Sequence, residues 1–357
     1  MAFDDMILWV MAVGILLGGL DRILGNRFGL GEKFEEGFQA IGPLALGMVG
    51  IMTLAPVISK TLGPIITPAL TAMGSDPAMF GSILANDMGG YPLAMELAIN
   101  KQAGQLAGAI VASMLGCTLV FSIPVGLAII DKEDEAFFAK GLLIGLITIP
   151  VGCIAGGAIA GFEMTMVAQN TIPVACLSVA LAAGLKLAPE KMIFGSIWFG
   201  KMIVHLITVG LACAAFQSLT GIVIIPGMAP IADQMAVVAQ IGIVLLGTFP
   251  ILSILVKALD KPLNAVGKRI GLDATSAAGL VFTLANSVPV YAMIKEMSNR
   301  GKIVNVAWLV PATAALGDHL GFTAAVAPEM ITAVVLGKLI AGACAVVLAL
   351  VMTRELV

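Results

Sequence analysis

Eight side chains stand out as carriers of chemistry: Asn86, Asp87, Tyr91, Asn286, Ser287, Tyr291, Asp318 and His319. Each lies in an otherwise apolar stretch, where an ionisable group is costly and usually marks the path of an ion or a substrate. Asp87 is the most informative. Its carboxylate suits a cation or an ammonium group; the structural alternatives are an internal ion pair with Lys338 or Lys201, or a protonated acid capping a turn. Asp318 beside His319 could carry a proton, coordinate a cation or bind an ammonium group. Alternatively, the Asp is held by backbone and the His is packed between helices. Asn86 and Asn286 either satisfy freed backbone groups or bind a hydroxyl, and Ser287 adds a hydroxyl of its own. Tyr91 and Tyr291 either offer aromatic faces to an ammonium ion or pack plainly.

The rest of the chain dictates where such groups must sit. Of 357 residues, 59% are apolar and 11% charged, with a mean hydropathy of +1.05; a soluble domain carries about 25% charged residues. The chain is therefore read as an all-α polytopic membrane protein whose first partner is the lipid bilayer. A net charge of −3 implies no nucleic-acid partner. Two histidines and five scattered cysteines make neither a metal cluster nor a disulfide framework, and no cofactor is expected. A crossing needs about 20 apolar residues. Nine such stretches occur, near 6–24, 40–60, 104–130, 137–160, 164–186, 193–220, 236–258, 303–327 and 330–352. The first lacks the basic leader and cleavage site of a secretory signal and reads as a retained span. Two further segments, 77–97 and 274–296, are interrupted by polar residues, Gly or Pro.

Those two segments repeat each other. At an offset of 200 residues, Leu84-Ala85-Asn86 falls on Leu284-Ala285-Asn286, Tyr91 on Tyr291, and Glu96 on Glu296. Asn and Tyr are scarce here, so duplication explains the match better than chance. If all eleven segments cross, the loop Lys and Arg divide almost evenly between the faces. If 77–97 and 274–296 each enter and return on one face, the division is fifteen against two, Lys60 and Lys101 being the two. The basic excess of cytoplasmic loops favours the second arrangement: nine spans plus two re-entrant broken-helix hairpins, two inverted-topology repeats, N-terminus outside and C-terminus inside. Asp76-Pro77 and Asp273 start the descending half-helices. About nine residues of helix rise roughly 13 Å, near the middle of a 30 Å hydrocarbon layer. Irregular backbone at that depth survives only when buried in protein or lining a cavity, so the two tips are expected to face each other across a polar site. One membrane domain, 1–357, then contains a first repeat 38–130, connecting spans 131–234, a second repeat 235–330 and a C-terminal span 331–357. The acidic run 131–135 reads as a solvated loop.

Several ordered strings give the chain a family likeness. Phe34-Glu35-Glu36-Gly37-Phe38, Asn86-Asp87-Met88-Gly89-Gly90, Phe121-Ser122-Ile123-Pro124-Val125, Pro189-Glu190-Lys191-Met192, Leu284-Ala285-Asn286 and Leu316-Gly317-Asp318-His319-Leu320-Gly321-Phe322 resemble the ethanolamine permeases of bacterial ethanolamine-utilisation systems, nearly end to end. The resemblance implies uptake of ethanolamine, or a similar small amino alcohol, across the bacterial cytoplasmic (inner) membrane. A small cation with one hydroxyl would need carboxylates such as Asp87 and Asp318 for its ammonium and amides or hydroxyls such as Asn86, Asn286 and Ser287 for its hydroxyl. Rival readings are an ion- or proton-coupled carrier of another small polar metabolite, or a channel-like facilitator. A membrane-embedded enzyme lacks a nucleophile or zinc motif to accompany Asp318-His319. A homo-oligomer is compatible with a carrier, but nothing in the sequence counts protomers.

Overall fold

The computed structural model describes residues 3–84 and 88–356, and no strand occurs among them. The chain opens with α1 (Phe3–Ile23), α2 (Leu30–Gln39) and α3 (Ile41–Ala72). Two short helices follow, α4 (Met79–Ile83) and α5 (Tyr91–Leu97). Next comes one continuous crossing: α6 (Lys101–Gln105), π-helical turns over Leu106–Gly116 and Thr118–Ser122, and α7 (Ile123–Ile129). Long helices α8 (Glu135–Ile159), α9 (Met164–Leu187), α10 (Pro189–Thr220) and α11 (Ile231–Arg269) succeed it. A second short pair, α12 (Ala274–Ala285) and α13 (Val288–Met293), precedes α14 (Asn299–Ala312), α15 (Asp318–Val326) and α16 (Ile331–Met352).

Among the described residues, eight helical stretches are long and apolar enough to cross a membrane. The crossing 101–129 is almost wholly buried at the centre, with α8, α14 and α16 packed around it. On the flank, α2, which falls between the expected spans 6–24 and 40–60, packs against α1 and α11. Small residues let the backbones close up, as membrane helices require in the absence of a strong hydrophobic drive. A Cβ added to Gly50 of α3 would lie 1.8 Å from the Ile207 carbonyl of α10.

Polar side chains fix which ends meet. Asp4 accepts hydrogen bonds from the Thr332 amide at 2.8 Å and hydroxyl at 2.5 Å, so α1 and α16 start together. The Gln105 amide donates to Glu329 at 2.8 Å, which puts the start of α6 at that same end. At the far end of the 101–129 crossing, Lys302 pairs with Asp134 at 2.5 Å. Asp134 is only 4% exposed, so the run 131–135 is not the uniformly solvated loop expected.

Each short pair begins and ends at one aspartate. Asp76 accepts from the amides of Ala78 (2.9 Å), Ile99 (3.1 Å) and Asn100 (2.9 Å). Asp273 accepts from the Ser276 amide (2.8 Å) and the Ser298 amide (2.9 Å). One carboxylate thus satisfies orphan donors at a helix start and at the chain's return. Asn100 and Ser298 then cap α6 and α14 in turn. The Asp76 base adjoins α6 and the Asp273 base adjoins Lys302, so the two bases lie at opposite ends of the bundle.

The expected uninterrupted span 303–327 is instead broken. Pro311 lacks an amide and crowds the turn before it, and the chain leaves the helix at Thr313 and re-enters at Asp318. Ala314 has φ +52, and the freed amides of Ala314 and Leu316 donate to the carbonyls of Thr283 (2.8 Å) and Leu284 (2.9 Å) at the end of α12. The break is therefore buttressed by the tip of the second pair rather than left unsatisfied.

Candidate functional site

Four of the eight residues singled out from sequence meet at this break. Asn286, Ser287, Asp318 and His319, with Cys117, Phe121, Thr313 and Ala314, enclose a cavity of about 40 Å3. A single water needs about 10–15 Å3 by the same measure, so the space suits three or four heavy atoms. Asn286 uses its side-chain oxygen to cap α13, accepting from the Val288 amide at 2.8 Å, which leaves its NH2 group as donor. Ser287 is 2% exposed and His319 1% exposed. Asp318 stands in the first turn of α15, where the helix dipole favours an anion.

Four helix ends converge on this space: the C-termini of α12 and α14, and the N-termini of α13 and α15. C-terminal carbonyls present partial negative charge and N-terminal amides partial positive charge. The cavity can therefore hold a cation at one wall and a hydroxyl or other neutral polar group at another. Among the described residues no cluster of three or more His, Cys, Asp or Glu is placed to hold a metal.

The remaining predicted residues sit elsewhere or cannot be placed. Asn86 and Asp87 lie outside the described residues. Close to them in sequence, Met88 is buried and its sulfur lies 4.0 Å from the Thr323 hydroxyl. Tyr91 packs edge-on to Phe322, ring centroids 6.0 Å apart; Phe322 and Thr323 follow Asp318 by about a turn of α15. Tyr291 is 1% exposed, packs edge-on to Phe138 at 6.0 Å, and donates its hydroxyl to the Ser122 carbonyl at 3.2 Å. Each tyrosine thus touches the crossing that follows the other pair. Lys338 is wholly buried and donates to the Ser113 carbonyl at 2.5 Å.

Sequence reasoning missed Cys117, Phe121, Thr313 and Ala314 as cavity walls. Cys117 lies in an apolar run, where a thiol reads as a small hydrophobe, and Phe121 stands in the sequence only within a string that carries the family resemblance. The break could have been found from Pro311 and Gly317, which bracket Thr313–Leu316 within the apolar run.

At the base of the second pair, burial alone would raise the Asp273 carboxyl. Hydrogen bonds from the Ser276 hydroxyl and amide and from Ser298 outweigh it and hold the group at about 2, below its ordinary 3.8.

Eight helices apolar enough to cross a membrane, packed as a bundle that holds a small polar cavity among the described residues, define a multi-pass membrane protein. The chain belongs to the ethanolamine utilisation protein family, EutH, which it matches over residues 3–352. It is 49% identical to the "Probable ethanolamine permease EutH" of Listeria monocytogenes, over 100% of this chain and 96% of that protein. It is 43% identical to the protein of the same name from Salmonella typhimurium, over 99% and 97% of the two chains. An uncharacterised Bacillus subtilis protein, YxeR, is 45% identical over 99% and 96%. No solved structure matches the chain.

Proposed function

We propose that this protein carries ethanolamine, or a similarly small amino alcohol, inward across the bacterial cytoplasmic membrane, and that the cargo binds in the cavity at the α14–α15 break. The observation that carries this reading is the convergence of Asn286, Ser287, Asp318 and His319 on one cavity. Ethanolamine has four heavy atoms, one ammonium and one hydroxyl. Asp318 and the carbonyl ends of α12 and α14 suit the ammonium, and a charge-assisted bond of this kind contributes about 1.5–3 kcal/mol. The Asn286 amide and the Ser287 hydroxyl suit the hydroxyl. The names of the relatives point to the same cargo.

In this reading the two short pairs are re-entrant hairpins of inverted halves, one entering from each face, and the repeat makes Asp87 a second carboxylate at the opposing tip. Their bases at opposite ends of the bundle, each closed by an aspartate, support that arrangement. The basic excess on loops supports an external N-terminus and an internal C-terminus. Transporters of this class bind cargo where discontinuous helices meet near the midplane.

The test is counterflow of labelled ethanolamine into liposomes containing the purified protein. Saturable uptake, competed by small amino alcohols and absent from protein-free liposomes, is expected. Uptake that rises linearly without saturation, or none at all from monodisperse protein, would sink the carrier reading.

A further inference from the structure

Tyr291 lines a second cavity, of about 140 Å3, together with Ile129, Ile130, Asp131, Ala292 and Lys295. It stands one turn along α13 from Ser287, whose carbonyl accepts the Tyr291 amide hydrogen bond at 3.1 Å, and residues four apart share a helix face. One face of α13 therefore touches the 40 Å3 cavity at Ser287 and the 140 Å3 cavity at Tyr291. The tyrosine hydroxyl reaches across to the Ser122 carbonyl. The Ser122 hydroxyl is in turn 4.0 Å from the Cys117 sulfur, on the wall of the smaller cavity. Side chain and hydrogen bond thus lie between residues that line the two spaces.

We propose that Tyr291 is the gate through which cargo leaves the inner cavity for a polar vestibule lined by Asp131 and Lys295; the inference rests on the cavity being the cargo site. The vestibule suits a charged amino alcohol because it offers a carboxylate to the ammonium and an exposed, wet wall. Its residues lie at the bundle end that carries Lys302 and the base of the second pair. The gate is held shut by the hydroxyl's bond to Ser122, by its contact with the Ser287 side chain and by packing on Phe138. Gly126 makes room for both rings, since a Cβ there would fall 2.5 Å from Phe138 and 3.2 Å from Tyr291. Swinging the Tyr291 ring breaks only neutral hydrogen bonds of its hydroxyl and leaves the backbone of α13 in place, which suits a part that must move in every transport cycle. A larger groove between α2, α11 and α12 also reaches Asn286; it carries Lys33, Glu36 and Lys257, but Glu36 is already paired with Lys33, and Phe249, Leu252, Val256 and Phe282 make most of its wall apolar and poor for a hydrated cation.

Cys117 is a built-in reporter. In full-length protein with the other four cysteines replaced by Ala, a membrane-impermeant cationic methanethiosulfonate is applied to either face of sealed vesicles. With Tyr291 present, Cys117 is expected to react slowly. Tyr291→Ala should accelerate the reaction by roughly tenfold or more, only from the face carrying Asp131. Tyr291→Phe, which keeps the ring and loses the hydroxyl, should accelerate it roughly fivefold, as expected for the lost hydrogen bonding of that hydroxyl. If the Ala variant is not recovered monodisperse, the Phe variant decides alone. Unchanged rates, equal acceleration from both faces, or entry that ignores Tyr291 but is stopped by Ser253→Trp in the apolar groove would overturn the gate. Protection of Cys117 by ethanolamine tests the cargo separately: acceleration without protection keeps the gate and removes ethanolamine.

Discussion

Asp318 opens α15 immediately after the chain has been unwound, and the same short space receives Asn286, Ser287 and His319. Removing its charge while keeping its shape should remove one charge-assisted contact, so Asp318→Asn is expected to lower ethanolamine uptake by roughly 10- to 100-fold. Counterflow at equal membrane levels checks this; wild-type uptake by that variant would show that the cavity is not the cargo site. Asp87→Asn should likewise abolish uptake with normal insertion if the opposing tip contributes a carboxylate. These residues were legible because an acid or amide is rare in an apolar chain. Thr313, Ala314 and Cys117 were not, because a threonine, an alanine or a thiol is ordinary in a membrane helix. Only the fold shows that these face a cavity.

Each hairpin depends on an aspartate that ties its two ends together. Asp273→Ala removes the α12 cap and the bond to Ser298, and is expected to cost about 1 kcal/mol, read as a lowered melting temperature in detergent. The folded carboxyl is held at about 2 against an ordinary 3.8. Its contribution is therefore complete above pH 4 and fades as pH falls toward 2. The alanine variant should lose that part of its acid sensitivity. Lys302 and Asp134 form a different element-level tie, between the starts of α8 and α14. Lys302→Met leaves a buried carboxylate unpaired and is expected to destabilise by about 3–5 kcal/mol, with Asp134→Leu added in the double variant restoring much of it. A melting temperature unchanged by Lys302→Met would remove that tie. Hairpin starts were readable from Asp76-Pro77 and Asp273, since caps are local chemistry. Their lengths were not: α4 has five residues and α12 twelve.

Across the molecule, the bases of the two hairpins stand at opposite ends, and each tyrosine reaches the crossing that follows the other hairpin. The neutral amine of ethanolamine leaks through lipid unaided, and the ammonium form does not. Protein-mediated uptake should therefore exceed leak most at acidic pH; an equal advantage from pH 5 to 8 in counterflow liposomes would remove this idea. Close backbone contact between α3 and α10 is a second whole-fold requirement. Gly50→Leu forces those helices apart and should cost at least the 1–3 kcal/mol typical of overpacking, seen as loss of monodisperse protein.

The amino-acid sequence by itself determined that the chain lives in lipid and that two of its apolar segments, 77–97 and 274–296, are interrupted, and it singled out the scarce polar groups. Those follow from composition and spacing, which act locally or along the chain. The tertiary structure alone decided that the span after the second hairpin is broken, that the α12 tip buttresses the break, and that Tyr291 sits behind the cavity instead of lining it. These outcomes depend on backbone hydrogen bonds and ring packing between segments far apart in the chain. The Ala314 amide, freed where α14 ends, must find a carbonyl somewhere, and only the folded bundle shows that it lies at Thr283.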